Sequence, residues 1–455
     1  MELLEDLRKQ EKVEVATLLE GLPKSQVIRV GVLFSGGPAA GGNNVVAGIF
    51  DALLEMNPKN ELLGFLKGPS GLIDGKFKIL SREEVDQVRN LGGFDLLGTG
   101  RTKIETPEQF EKAMSVIKAN HLNGLVIIGG DDSNTNAYFL HKYLRENQVS
   151  CNVVGVPKTI DGDLKSKEIE ISFGFDTASK VYSEMIGNIC TDAKSSLKYW
   201  HFIKLMGRTA SHITLECALQ TAPNIALIGE EIAYKGLSLE QIISQITDTI
   251  EERSKLGKDY GVILIPEGLI EFIPGAKESL AHLFQDKDSH GNTKVSQIET
   301  ERLLSKLVSE EIKRRGSSAK FEPFHHFFGY EGRCSFPSVF DATYCYNLGR
   351  NAALLMSRQK SGVMATIENL ARGVKQWRPA YRDLEEALVE EERGGKLKRV
   401  IAKSLVDLKG PVFGAFDNVR ERNRVEDHYK NPGPIQFYGP SKNEITLTLQ
   451  IESKN

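Results

Sequence analysis

The chain has 455 residues, with 58 Lys and Arg against 61 Asp and Glu, a formal net charge of −3. A balance so close to neutral excludes the broadly basic surface of a nucleic-acid binder, although a local cationic cleft is still allowed. No apolar run approaches the ~20 residues of a membrane span, and 40% hydrophobic with 26% charged residues is ordinary for a globular protein of two or three domains.

Taken in chain order, the first 22 residues mix charge with Leu3, Leu4, Leu7, Leu18, Leu19 and Leu22 at helical spacing. They predict a surface helix or two ending near Gly21 and Pro23, and they hold no signal-peptide core. Val27–Phe34 is a short β-branched run stopped by Ser35-Gly36-Gly37-Pro38, the pattern of a buried strand entering a tight turn. A helix is predicted over Asn43–Met56. Leu125–Ile128 predicts a second strand, ending in Gly129-Gly130-Asp131-Asp132-Ser133, with a helix over Asn134–Arg145. Asn152–Val156 repeats the pattern and ends in PKTIDGD (157–163). Further strands are predicted at Tyr199–Leu205, Ile225–Ile228, Val262–Ile265 and Val363–Thr366. Helices are predicted at Gly207–Leu219, Leu239–Leu256, Thr300–Arg314, Thr343–Ser357 and Arg382–Glu392. Residues 271–300 read as a polar surface insertion, and the tail beyond about Ser441 as poorly ordered. The five cysteines are widely spaced and form no CxxC, which points to reduced thiols in a cytoplasmic protein and against zinc or a disulfide framework.

Strand, glycine-rich turn and helix in repetition predict an α/β fold built on parallel sheets covered on both faces. Ligands in such folds bind at the carboxyl ends of the strands, so the turns are where chemistry is sought. The first turn carries Gly36, Gly37, Gly41 and Gly42, which let backbone N–H groups approach an anion at a helix N-terminus. It lacks the Lys-Ser/Thr of a Walker loop and is not GxGxxG, and a turn built only for packing fits it equally well. The second turn carries Asp131 and Asp132. Adjacent carboxylates suit Mg²⁺ shared with substrate phosphates, and the same residues also suit plain helix capping. In the third turn Asp161 and Asp163 flank Gly162, after Lys158 and Thr159: a base and a cation, or an ordinary polar loop. Taken together the turns supply what phosphoryl transfer needs: backbone amides, a metal carboxylate in Asp131, a cation in Lys158 and a base in Asp161.

Eight ordered segments then resemble the phosphofructokinases over about residues 26–350: GGPAAGG (36–42), LGTGR (97–101), GGDDS (129–133), PKTIDGD (157–163), GFDTASK (174–180), MGR (206–208), PEG (266–268) and GYEGR (329–333). Residues Asn431 to Pro434 also fit. The stretches 198–220 and 326–333 resemble the long, plant-type pyrophosphate-dependent branch of that family. The resemblance implies two Rossmann-like parallel-sheet domains with the active site in the cleft between them. The implied division is an N-terminal helical segment over 1–25, a donor domain over 26–160 completed by about 345–455, and a sugar-phosphate domain over 161–344.

The implied roles are specific. Asp161 takes the proton from the 1-hydroxyl of fructose 6-phosphate, and Asp131 holds Mg²⁺ with help from Asp163. Gly36, Gly37, Gly130, Ser133 and Arg101 bind the donor, while Thr159 and Asp163 flank the transferring group. Ile160, Met206, Gly207, Arg208 and Glu267 line the sugar site, with Arg208 also acting on the transferred group. Tyr330, Glu331, Gly332 and Arg333 grip the sugar 6-phosphate. Lys198 and Tyr199 reach a neighbouring subunit's sugar site, which implies a homodimer.

Relatives that use ATP commonly carry Gly at the places of Asp132 and Lys158. Asp132 adds bulk and negative charge where a nucleotide's α-phosphate would lie, while Lys158 balances that carboxylate and supplies a cation for the small donor. The implied reaction is reversible transfer from Mg-pyrophosphate to fructose 6-phosphate, a step of glycolysis and gluconeogenesis. ATP as donor, sedoheptulose 7-phosphate as acceptor and a non-catalytic regulatory subunit remain alternatives; the last is expected to lose acids in PKTIDGD, and both are present. Ala40 stands where relatives usually carry Pro, and the chain is short for the branch, so no allosteric site is expected. Two neighbouring motifs have structural readings: Asp176 as a cap or Asx-turn, and His325 with His326 as a structural pair rather than metal ligands.

Overall fold

The computed structural model describes residues 15–19, 21–276, 298–393 and 396–435. The first fourteen residues of the expected N-terminal helix, the middle of the 271–300 insertion and the tail beyond Ser441 lie outside them. Where the N-terminal stretch is described it is not helical. Its backbone is satisfied by a neighbouring helix instead: Leu18 N–H donates to Asn347 Oδ1 at 2.6 Å, and Arg350 Nε donates to the Leu19 carbonyl at 3.0 Å.

Among the described residues, thirteen strands form three sheets. The largest has the order β11-β10-β5-β4-β1-β2-β3, with β1 Arg29–Phe34, β2 Glu61–Phe65, β3 Phe77–Ile79, β4 Gly124–Gly129, β5 Asn152–Pro157, β10 Val363–Glu368 and β11 Arg378–Asp383. Its five inner strands run parallel, and only the edges β3 and β11 pair antiparallel. Strands β1, β4 and β5 are buried almost throughout because helices cover both faces, which is why they read as continuous apolar runs. The second sheet, β7-β8-β6-β9, is wholly parallel, with β6 Trp200–Leu205, β7 Ile225–Ala226, β8 Gly261–Pro266 and β9 Pro323–Phe328. A hairpin, β12 Leu388–Arg393 with β13 Lys396–Ile401, stands apart.

One face of the large sheet is covered by the helices Gly42–Met56 and Val339–Ser357, which lie almost backbone to backbone. A Cβ at Gly48 would collide with the Tyr346 carbonyl, and one at Gly349 with the Val45 carbonyl, so the approach depends on both glycines. This contact ties the start of the chain to a segment 300 residues later and fixes the first glycine turn.

Most predicted elements recur within a few residues, and three differ for physical reasons. Arg382–Glu392 is not a helix: it contains the end of β11, a turn and most of β12, because β10 and β13 supply ladder partners that local periodicity cannot reveal. The helix expected from Gly207 begins only at His212, since Gly207 has φ 129° and the chain stays in a loop beside the cleft. The helix expected from Asn134 begins at Asp131, so both acids of the second turn sit in its first turn, where the helix dipole favours them. The elements the sequence reading does not predict include the helices Pro107–Ala119, Phe175–Ser196, Gly229–Lys235 and Pro411–Val425 and the strands β2, β3, β9 and β13. The last helix packs on the 212–221 and 239–255 helices, beside the four-stranded sheet, although it lies in the stretch expected to complete the first domain. The five cysteines form no disulfide. On β9, His325 bonds Ser305 Oγ at 2.7 Å and His326 bonds His201 at 3.0 Å. Asp176 accepts from Ser338 Oγ at 2.6 Å and Lys180 at 2.7 Å.

Candidate active site

The carboxyl ends of β1, β4 and β5 from one sheet, and of β6, β8 and β9 from the other, converge on a cavity of about 370 Å³. After β1, Gly36 N–H bonds the Gly100 carbonyl at 2.9 Å and Thr99 Oγ1 donates to the Gly36 carbonyl at 2.7 Å. These bonds hold the glycine turn against the segment that carries Arg101 and Lys103. After β4, Ser133 Oγ bonds Ser35 Oγ at 2.8 Å, joining the first two turns. After β5, Lys158 N–H continues the ladder to the Gly129 carbonyl at 2.9 Å, and Thr159 Oγ1 accepts from Asp161 N–H at 3.1 Å. Six strand ends thus fix the segments that carry the site residues, the second of them passing directly into the helix that begins at Asp131.

Gly36, Gly37, Arg101, Gly130, Asp131, Asp132, Ser133, Lys158, Thr159, Ile160, Asp161, Asp163, Met206, Arg208, Glu267, Tyr330 and Arg333 all line this cavity. Five of the expected residues do not. Gly207 donates its N–H to Glu267 Oε2 at 3.1 Å, setting that carboxylate. Glu331 turns back to accept from Gly329 N–H at 2.8 Å, and Gly332 packs under the Tyr182 ring. Lys198 and Tyr199 precede β6, whose far end leads into the site. Six residues of strand at ~3.3 Å each separate them from it, and the Tyr199 ring lies against Phe324 at 4.5 Å. Sequence reasoning missed Ser35, Thr102, Lys103, Asn136 and Lys403, which also line the cavity. Lys103 was signalled by its place two residues after Arg101, and Asn136 by its helical spacing from Asp132. Nothing local signalled Lys403, which arrives behind the β12–β13 hairpin.

Asp132 and Lys158, expected to balance each other, each have further neighbours. Lys103 stands beside Asp132, at 3.6 Å. Lys158 is buried and donates to the Gly37 carbonyl at 2.8 Å. Burial, then the nearby Arg333, pushes its ammonium down to about 8. Lys403 Nζ stands between Asp131 Oδ2 at 3.5 Å and Asp163 Oδ2 at 3.6 Å. The loss of hydration in the cleft, and next the charge of Asp163, raise the pKa of Asp161. Burial, then Asp161, pushes Glu267 up to about 7. Arg333 lies across both halves: its guanidinium faces the Tyr330 ring at 5.0 Å, and its Nε donates to the Pro38 carbonyl at 3.4 Å. A Cβ at Gly37 would stand 2.5 Å from Arg333 Nη2, so the bare glycine makes room for it.

A cleft between two parallel sheets, lined by four aspartates, six cations and a glycine turn, defines a phosphoryl-transfer site of the α/β class. The phosphofructokinase family model matches residues 29–356, and the chain belongs to that family. It is 44% identical to a pyrophosphate–fructose 6-phosphate 1-phosphotransferase of Porphyromonas gingivalis, over 94% of this chain and 87% of the relative. It is 46% identical to the beta subunit of that enzyme from Solanum tuberosum, over 94% of this chain and 83% of the relative. Among solved structures, the pyrophosphate-dependent phosphofructokinase of Marinobacter aquaeolei shares the fold, with a TM-score of 0.63 at 16% identity over 89% of this chain and 93% of the other.

Proposed function

We propose that this protein transfers a phosphoryl group reversibly from pyrophosphate to the 1-hydroxyl of fructose 6-phosphate, giving fructose 1,6-bisphosphate and phosphate. The observation that carries the reading is the donor half of the cavity. Asp132 lines it with its own cation, Lys103, beside it, and the buried Lys158 stands next to the glycine turn. A small anionic donor gains from Lys158 and avoids Asp132, whereas a nucleotide must bring a further phosphate towards that carboxylate. The names of the two relatives support the same donor and acceptor.

Asp131 and Asp163 direct one oxygen each at a single point now taken by Lys403 Nζ. Two carboxylates with the remaining positions left to water and phosphate suit Mg²⁺. Among the described residues no cluster of three or more His, Cys, Asp or Glu side chains would close a cage around it. When bound, Mg²⁺ supplies charge neutralisation across the donor's phosphate oxygens.

The protein's own residues do the rest. Glu267, set by Gly207, and Tyr330 orient the sugar, and Arg333 spans donor and acceptor. Asp161 accepts the proton of the 1-hydroxyl as its oxygen attacks the donor phosphorus, and the bridging P–O bond breaks to release phosphate. Its raised pKa makes it a stronger base than an ordinary aspartate. Lys158 and Arg208 stabilise the negative charge on the transferring and departing groups.

The two sheets support a division into a donor half around β1, β4 and β5 and a sugar half around β6, β8 and β9. Tyr199 and the half-exposed Phe324, far from the chain's own cavity, support a second copy meeting the β9 edge, so that Lys198 and Tyr199 complete a partner's sugar site. Five unpaired cysteines support a reducing, cytoplasmic setting. No helix among the described residues is long and apolar enough to cross a membrane. The test is a product assay in both directions: fructose 1,6-bisphosphate should form from pyrophosphate and fructose 6-phosphate, and pyrophosphate from fructose 1,6-bisphosphate and phosphate. Failure of both directions would remove the reading.

A further inference from the structure

Among the described residues six cations line the cavity, and five lie within the residues matched by the family model; the sixth, Lys403, does not. It is presented by a strap tied at four points to three helices and the loop after β5. Ile401 N–H donates to Thr135 Oγ1 at 3.0 Å, on the helix that carries Asp131. Ser404 N–H donates to the Asp163 carbonyl at 2.6 Å. The Ser404 carbonyl accepts from the His212 ring at 2.9 Å, and Val406 N–H donates to Glu230 Oε1 at 3.0 Å. Between these ties the Lys403 side chain, 23% exposed, reaches Asp131 and Asp163, while Thr209 Oγ1 donates to the same Asp163 Oδ2 at 2.9 Å.

A lysine needed only to neutralise two acids in the empty protein could come from a loose surface loop. It would swing into water once a metal took its place. This strap leaves its backbone no such path, because Ser404 is fastened to Asp163 itself. With its backbone held there, the ammonium is within reach of a bound ligand's phosphate oxygens, which accept strong charge-assisted bonds. We propose that Lys403 is a donor-binding residue: its ammonium holds Asp131 and Asp163 together in the empty site and passes to the phosphate oxygens of pyrophosphate when the donor binds. This rests on the donor reading given above.

The test compares wild-type protein with Lys403→Met, Lys403→Gln and Lys403→Arg. Pyrophosphate binding is measured by calorimetry with Mg²⁺ and no sugar, alongside the KM for fructose 6-phosphate and the melting temperature. The two neutral variants guard against one failing to fold. Each should bind pyrophosphate roughly 10- to 100-fold more weakly, the fold-change of one lost charge-assisted bond. Their KM for fructose 6-phosphate should stay within about twofold, and the arginine variant should recover most of the affinity. Wild-type protein that binds no pyrophosphate overturns the donor reading along with this one. Wild-type binding matched by both neutral variants overturns only the role of Lys403, as does a larger effect on the sugar than on pyrophosphate.

Discussion

Replacing Asp132 by glycine removes a carboxylate from the donor half of the cavity and leaves Lys103 without the partner it now has at 3.6 Å. A phosphate oxygen brought as close to Asp132 as Lys103 is today would be repelled by roughly 4 to 5 kcal/mol at an effective dielectric near 20. The Asp132 side chain is 34% exposed and that of Lys103 25%, so solvent screens much of this. A discounted repulsion of about 1.5 to 3 kcal/mol remains, equivalent to roughly 10- to 150-fold in affinity. Asp132→Gly should therefore raise kcat/KM for MgATP by about that factor, at saturating fructose 6-phosphate. Lys103→Met should do the opposite, by removing a cation 3.6 Å from that carboxylate. The assay is steady-state kinetics with ATP varied, followed by ADP release. Unchanged ATP kinetics in Asp132→Gly would mean that this carboxylate does not exclude nucleotides.

Other expectations concern the base, the buried cation and the scaffold. Asp161→Ala should lower kcat by about 10²–10⁴, the usual range for loss of a general base; turnover near the wild-type value would take that role from Asp161. Because Lys158 is pushed down to about 8, its charge is present below that pH and lost above it. kcat/KM for pyrophosphate should thus fall on the alkaline side of about pH 8, and Lys158→Arg, which stays charged, should move that limb upward. A pH profile with the same alkaline limb in both proteins would point to another group. Gly349→Ala places a methyl group against the Val45 backbone carbonyl, which cannot rotate away. It should destabilise the fold by about 1–3 kcal/mol, and an unaltered denaturation midpoint would contradict the close helix contact.

The strand ends were the most legible part of this protein. Strands β1, β4 and β5 are buried on both faces, so their sequences are uniformly apolar, and each is stopped by glycine or proline where the chain must turn towards the ligand. The three turns therefore stand out in the sequence alone. The hairpin β12–β13 and strand β11 did not, because their residues are polar and mixed, and pairing with β10 and with each other decides their conformation. Within the cavity, Asp131, Asp161 and Lys158 were legible from type and spacing. The pairing of Asp132 with Lys103 was not, since choosing between two lysines requires knowing which way each side chain leaves its turn. Lys403 was the least legible: its place depends on a strap fastened by Thr135, Asp163, His212 and Glu230, residues spread along nearly a hundred positions of the chain.

The donor claim is tested most directly by competition in one vessel. Purified protein, Mg²⁺ and fructose 6-phosphate are given equal concentrations of pyrophosphate and ATP, and phosphorus NMR follows which is consumed. The account predicts that pyrophosphate disappears at least ~10-fold faster, the factor set by the lower bound of about 1.5 kcal/mol of discrimination. Consumption of ATP while pyrophosphate remains intact would contradict it.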